Sequence, residues 1–260
     1  IAHSKSPLIH SMFAEQTGES MVYEKIEAPL DEFNETVTIF FAQNHGKGLN
    51  VTVPFKEQAW ELCYSRTERA ELAGAVNTLF LDNQGQICGD NTDGIGLVID
   101  IKKQGIELKG KKVLIVGAGG AVRGILQPIL KEHPAQICIC NRTVSKAEAL
   151  AKLMKGLGEI EFGSLESFNE AFDIVINGTS ASLNGELPPL PSTIITEHTV
   201  CYDMMYGAED TIFNQWAKSQ GALKVIDGLG MLVGQAAEAF SIWRGVRPQT
   251  EQVMTALRSM

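Results

Sequence analysis

The chain has 260 residues, 44% apolar and 20% charged, a balance that supports one large or two modest hydrophobic cores. Its formal net charge of −9, with no block of Lys or Arg to offset it, excludes a nucleic-acid surface as partner. No apolar run approaches the roughly 20 residues of a membrane helix, so no membrane partner is expected. The opening residues Ile1 to Lys5 show no secretory pattern. Cys63, Cys88, Cys138, Cys140 and Cys201 contain no C-x-x-C pair, which points to reduced thiols and a cytoplasmic location. The histidines lack metal-ligand spacing, so no metal is expected. The chain begins inside an apparent motif and without Met, and an opening strand is expected to precede it.

In chain order, Ser6-Pro7 marks the start of a helix over residues 5–19, with Ser6 as cap and Pro7 in the first turn. Leu49 to Val53 alternates as a strand, stopped by Pro54, and helical patterning follows through about Ala73. Thr78 to Leu81 and Gln86 to Cys88 flank a turn sequence, Asp82-Asn83-Gln84-Gly85, and read as a hairpin. A helix follows over residues 94–104. From Lys111 the texture changes: Val113 to Val116 is continuously apolar, as in a parallel strand covered on both faces. Further strands are predicted at Ile137–Cys140, Ile174–Asn177, Val200–Asp203 and Lys224–Ile226, with helical stretches between them. Helices over 231–244 and 249–258 close the chain. The pattern predicts two α/β domains, residues 1–93 and 94–227, the second a doubly wound Rossmann-type domain.

Gly117-Ala118-Gly119-Gly120-Ala121 directly follows the apolar strand and opens a helix over 122–133, the context of a dinucleotide fingerprint. Glycines let backbone N–H groups approach a pyrophosphate, and a helix start favours its charge. Pro128 is expected to kink that helix or leave a carbonyl unpaired. After the next strand, where an NAD site carries an acid, the chain reads Asn141-Arg142-Thr143-Val144-Ser145-Lys146. Arg142 and Lys146 supply charge for a 2′-phosphate, Asn141 and Thr143 supply hydrogen bonds, and NADP is the expected cofactor. Lys56, after a strand and a proline corner, and Asp93, in the polar loop Asn91-Thr92-Asp93-Gly94, offer one group to polarise a carbonyl and another to position it. Gln235 lies off the apolar stripe of its helix.

His3-Ser4-Lys5-Ser6-Pro7, Asn50 to Lys56, Ala73 to Thr78, Gly89 to Gly94, Gly117 to Ala121, Asn141-Arg142-Thr143 and Asp227 to Leu232 together resemble the shikimate dehydrogenase family, in its order and across nearly the whole chain. The resemblance implies reversible NADPH-dependent reduction of 3-dehydroshikimate to shikimate, within aromatic amino-acid biosynthesis, by a monomer or homodimer. It implies that residues 228–260 return to a substrate-binding catalytic domain of residues 1–93, that 94–227 bind NADP, and that a deep cleft lies between the two. Ser4 and Ser6, with Tyr206, would take the substrate carboxylate. Thr52, Asn77, Asp93 and Gln235 would hold the ring hydroxyls, with Asn50 nearby. Lys56 and Asp93 would form the catalytic pair, with Lys56 either an acid/base or an electrostatic stabiliser. Thr179, Met204, Gly228 and Met231 would wall the nicotinamide, with Glu68 near the cofactor. Ser11 departs from the family, where Asn commonly follows the Ile-His pair. The readings left open are a quinate/shikimate dehydrogenase of broader specificity, a catalytically silent NADP-binding regulator and, on the same architecture, a methylene-folate dehydrogenase.

Overall fold

Residues 4–43, 46–181 and 185–260 are described by a computed structural model, in which the chain divides into two units, residues 1–96 with 232–260 and residues 97–231. The predicted boundaries stood at 93/94 and 227/228. Ile1 and His3, named above, lie outside the described residues. Among the described residues no helix is long and apolar enough to cross a membrane.

The first unit opens with α1 (Ser6–Thr17). Its start differs from expectation: Ser6 is the first helical residue, and the Ser4 hydroxyl accepts from the Ser6 N–H at 3.2 Å. One of the helix's orphan donors is thereby satisfied from two residues upstream. After α2 (Phe33–Ala42) comes β1 (Gly48–Asn50), which is shorter than the predicted strand. Val51 still bonds across to the Asn77 carbonyl at 2.8 Å, but Phe55 N–H then turns back to the Thr52 carbonyl at 3.0 Å. The predicted single helical stretch is split into α3 (Lys56–Leu62), β2 (Ser65–Arg66) and α4 (Glu68–Ala73). Thr67 causes the restart, since its side chain caps α4 by accepting from Ala70 N–H. The hairpin forms as β3 (Thr78–Leu81) and β4 (Ile87–Asp90).

These strands make a mixed sheet in the order β1-β3-β4-β2, with β1, β3 and β4 antiparallel and β2 parallel to β4. Phe33, Val37, Ala59, Ala70, Val76 and Leu79 pack as its core. Each large apolar side chain so buried contributes about 1.5–3 kcal/mol.

The second unit begins within α5 (Asp93–Lys103), whose first turn belongs to the first unit. It continues with β5 (Lys112–Val116), α6 (Gly120–Leu130), β6 (Gln136–Cys140), α7 (Val144–Met154), β7 (Glu161–Gly163), β8 (Ile174–Asn177), β9 (Val200–Asp203), α8 (Ile212–Ser219) and β10 (Lys224–Ile226). The sheet is parallel throughout, in the order β10-β9-β8-β5-β6-β7. This is the doubly wound dinucleotide-binding order, with its reversal between β5 and β8. Pro128 stays inside α6, which runs on to Leu130. Helix α9 (Leu229–Arg244) spans the second boundary, and α10 (Glu251–Arg258) ends the chain.

Candidate active site

In the first unit, the end of β4 aims a polar loop. Asp90 is buried, and its carboxylate accepts from Thr67 Oγ1 at 2.6 Å, from Arg69 Nε at 2.7 Å and Nη2 at 2.6 Å, and from the Asn91 N–H at 2.7 Å. Burial works against the Arg69 charge, but Asp90 and then Glu238, 3.0 Å away, more than offset it and push its pKa up. That fork fixes where Asn91-Thr92-Asp93 begins. Asn91 ties the loop to the Ala75 carbonyl at 3.1 Å, and its Oδ1 accepts from the Asp93 N–H at 3.2 Å.

Asp93, on the first turn of α5, meets Lys56, on the first turn of α3. Lys56 Nζ donates to Asp93 Oδ2 at 2.6 Å, with side-chain exposures of 27% and 16%. The other carboxylate oxygen accepts from Asn77 Nδ2 at 2.8 Å. Asn77 is buried, and its Oδ1 accepts from the Thr92 N–H at 2.9 Å and from Thr78 Oγ1 at 2.8 Å. Gln235 on α9 reaches the same cluster, its Oε1 lying 3.4 Å from both Asn77 Nδ2 and Thr92 Oγ1. Both Asp93 oxygens are occupied, whereas an ammonium carries three N–H donors and Asp93 takes one from Lys56. The arrangement holds a cation beside polar side chains and leaves it able to donate to an incoming oxygen.

Asn50, at the end of β1, borders this group. Its Nδ2 faces the Asn77 carbonyl at 3.3 Å and Thr78 Oγ1 at 3.4 Å. Thr52 is exposed in the turn after β1, and Ser4 and Ser6 stand at the start of α1. Thr78 and Thr92, which buttress Asn77, were not among the expected site residues, although both stand in quoted motifs. His10 and Tyr23, which bond Asn50, were also missed, and nothing around Tyr23 in the sequence signals a site. Tyr206 is exposed in the second unit, its pKa raised by burial and by Asp227, and Glu68 is exposed on α4 of the first unit.

In the second unit the expected cofactor residues gather at the carboxyl ends of the parallel strands. Gly117 follows β5 at φ +108°, a conformation that favours glycine, with its N–H on the Cys140 carbonyl at 2.8 Å. Gly119 caps α6 without a side-chain bond, and a Cβ at Gly119 or Gly120 would meet nothing within 4 Å. Ala118 and Ala121 flank these two glycines. The turn therefore opens backbone N–H groups to space beside a helix start, which fits a pyrophosphate. Asn141, Arg142, Thr143 and Lys146 follow β6, with Arg142, Thr143 and Lys146 exposed and Asn141 Nδ2 bonded to the Thr143 carbonyl at 2.8 Å. No carboxylate interrupts them, so the donor set fits a 2′-phosphate.

After β8, Thr179 bonds Asn177 Oδ1 through Oγ1 at 2.8 Å. Met204 follows β9, its N–H on the Asn177 carbonyl at 2.9 Å. Gly228 follows β10, and a Cβ there would fall 2.1 Å from the Met204 carbonyl oxygen, so only glycine permits this approach. Met231 lies on the first turn of α9. Buried Asn177 and Asp203, joined at 3.1 Å, set the ends of β8 and β9 and were also missed. Among the described residues no group of His, Cys, Asp and Glu is gathered as metal ligands are.

Comparison with known proteins agrees along the chain. Residues 1–79 match the shikimate dehydrogenase substrate binding domain, 100–184 the shikimate / quinate 5-dehydrogenase model and 228–258 the shikimate 5′-dehydrogenase C-terminal domain. A shikimate dehydrogenase (NADP(+)) of Cellvibrio japonicus is 59% identical, over 99% of this chain and 94% of that protein. The crystal structure of a Pseudomonas putida enzyme is 43% identical, with a TM-score of 0.92 over 99% of this chain and 94% of that one. A shikimate 5-dehydrogenase of Thermus thermophilus, solved with NADP(H) and shikimate, is 32% identical, with a TM-score of 0.86 over 99% of this chain and 95% of that one. With matched domains in order and relatives matched over at least 94% of their length, this chain belongs to the shikimate dehydrogenase family.

Proposed function

We propose that the chain catalyses the reversible NADPH-dependent reduction of 3-dehydroshikimate to shikimate, in aromatic amino-acid biosynthesis. The observation that carries this reading is the Lys56–Asp93 pair, 2.6 Å apart and set among Asn77, Thr92 and Gln235. A carbonyl reduction needs a proton for the oxygen and a hydride for the carbon, and NADPH, when bound, supplies the hydride. Lys56 stabilises the oxygen as negative charge grows on it and passes it a proton; in the oxidative direction it takes that proton back. Asp93 holds the ammonium in place, and Asn77 holds Asp93.

In this reading the first unit is the substrate-binding and catalytic part, and the second holds NADP. Ser4, Ser6 and Tyr206 bind the substrate carboxylate, and Asn50, Thr52, Asn77, Asp93 and Gln235 its hydroxyls. The residues Gly117 to Ala121 take the pyrophosphate; Asn141, Arg142, Thr143 and Lys146 take the 2′-phosphate; Thr179, Met204, Gly228 and Met231 line the nicotinamide site, with Glu68 near the cofactor. The five cysteines, all buried and free, suit a cytoplasmic location.

The second family model names quinate beside shikimate, which keeps a broader specificity in play. Appearance of reduced nicotinamide, followed by absorbance, tests both readings. Shikimate with NADP+ should give a strong rise, and quinate or NAD+ little. Comparable rates with quinate or NAD+ would establish the broader enzyme. No turnover while NADP+ still binds would leave a regulator.

A further inference from the structure

Asn50 is held by two side chains that no role has yet been given. Its Nδ2 faces the Asn77 carbonyl, which can only accept, so Oδ1 points the other way. There Oδ1 accepts from the Tyr23 hydroxyl at 2.8 Å and from His10 Nε2 at 3.1 Å, which requires the His10 proton on Nε2. Tyr23 and His10 are themselves stacked, with ring centroids 4.2 Å apart and planes within 7°. The Ser6 side chain stands near the Tyr23 hydroxyl, near enough to pull its pKa down against the larger upward push of burial. The stacked pair thus ties α1, through His10, and the segment around Tyr23 to the end of β1, far apart in sequence. Both Nδ2 contacts of Asn50, at 3.3 and 3.4 Å, are long for hydrogen bonds, so its amide N–H groups can be recruited by a better acceptor.

We propose that Tyr23 is a positioning residue for the substrate: its hydroxyl, donated to Asn50 Oδ1 beside Ser6, fixes the Asn50 amide and turns its N–H groups toward the substrate. Asn50 then reads an oxygen that accepts, whether hydroxyl or carboxylate, and a group presenting only a donor finds no partner there. The proposal rests on the reading of Ser6 and Asn50 as substrate contacts. His10 supports Asn50 from the other side. Its Nδ1 has no partner among the described residues, so its contribution to this group is the Nε2 donor and the stacked ring.

Steady-state kinetics on the full chain test this. Tyr23→Phe keeps the ring on His10 and deletes only the hydroxyl; His10→Phe keeps a ring under Tyr23 and deletes only the second donor to Asn50. Each should raise the KM for shikimate about tenfold, the cost of roughly one hydrogen bond to a positioned group, while kcat falls less than threefold and the KM for NADP+ holds. In an Asn50→Ala background the Tyr23→Phe effect should shrink, because much of it passes through Asn50. A Tyr23→Phe effect that is absent or fully additive with Asn50→Ala, in folded variants, overturns the positioning role. Ser6→Ala and Asn50→Ala separate the two levels. If neither raises the KM for shikimate, the substrate-contact reading itself fails, and the proposal with it.

Discussion

Lys56 and His10 show how a single side chain's surroundings decide its chemistry. Lys56 has its charge balanced by one carboxylate oxygen at 2.6 Å and keeps donors for a substrate oxygen. Lys56→Ala should therefore reduce turnover at least ~10²-fold, the usual loss for an acid–base or charge-stabilising group, and leave NADP+ affinity within a few-fold. Near-normal turnover in that variant would remove Lys56 from the mechanism. His10 is the opposite case, fully buried among Phe13, Tyr23, Phe240 and Trp243. Burial lowers its pKa from 6.5 to about 4, against a smaller upward pull from Asn50. In the window between those values the unfolded chain takes up a proton that the native ring refuses. Stability tied to His10 is thus present above about pH 6.5 and is lost as pH falls toward 4, on the order of 3 kcal/mol in all. Denaturant unfolding at pH 7 and pH 5 should show a steeper loss for the wild type than for His10→Gln. Equal slopes would mean that the ring is protonated in the native state.

At the level of elements, the parallel sheet does the gathering. Because β5, β6, β8, β9 and β10 all run the same way, their carboxyl ends bring together turns separated by a hundred residues of chain and more. In the proposed function the turn from β6 into α7 selects the cofactor. Arg142 and Lys146 stand there exposed, with no acid between them. Arg142→Ser should raise the KM for NADP+ about tenfold, the value of one charge-assisted hydrogen bond, and leave the KM for NAD+ unchanged. An equal change for both cofactors would place Arg142 elsewhere than at the 2′-phosphate. In the first unit the corresponding device is the Arg69 fork on buried Asp90, which anchors β4 just before Asn91, Thr92 and Asp93.

For the molecule as a whole, both units bury their cysteines. Cys63, Cys88, Cys138, Cys140 and Cys201 are at most 6% exposed. Burial pushes the thiols of Cys63, Cys138, Cys140 and Cys201 up to about 12, so at pH 8 they hold almost no thiolate. A thiol reagent such as Ellman's should label the native chain slowly or not at all, and label all five after unfolding. Rapid native labelling of one or more would show a unit that opens readily. Cys138 and Cys140 sit on β6 within the apolar core of the second unit, so their role is packing and not redox chemistry.

The second unit was the more legible in the sequence. Val113 to Val116 and the glycine turn after it are legible through composition and spacing alone, because a covered parallel strand must be apolar on both faces and a left-handed turn favours glycine. Brief elements left no such trace. In β7 only Gly163 is buried, and in α2 only Phe33 and Val37, too few to set a period. The α3–α4 region read as one helix because its break depends on Thr67 capping a new one. The polar group around Asn77 was visible only as separate motifs, since Lys56, Asn77, Asp93 and Gln235 come from different elements and meet through hydrogen bonds that no local pattern encodes. The sequence by itself determined most of the strand and helix order and the glycine turn after β5, all of which are local. Only the tertiary structure decided that Tyr23 and His10 hold Asn50 and that both oxygens of Asp93 are taken, because those contacts exist only once distant segments are folded together.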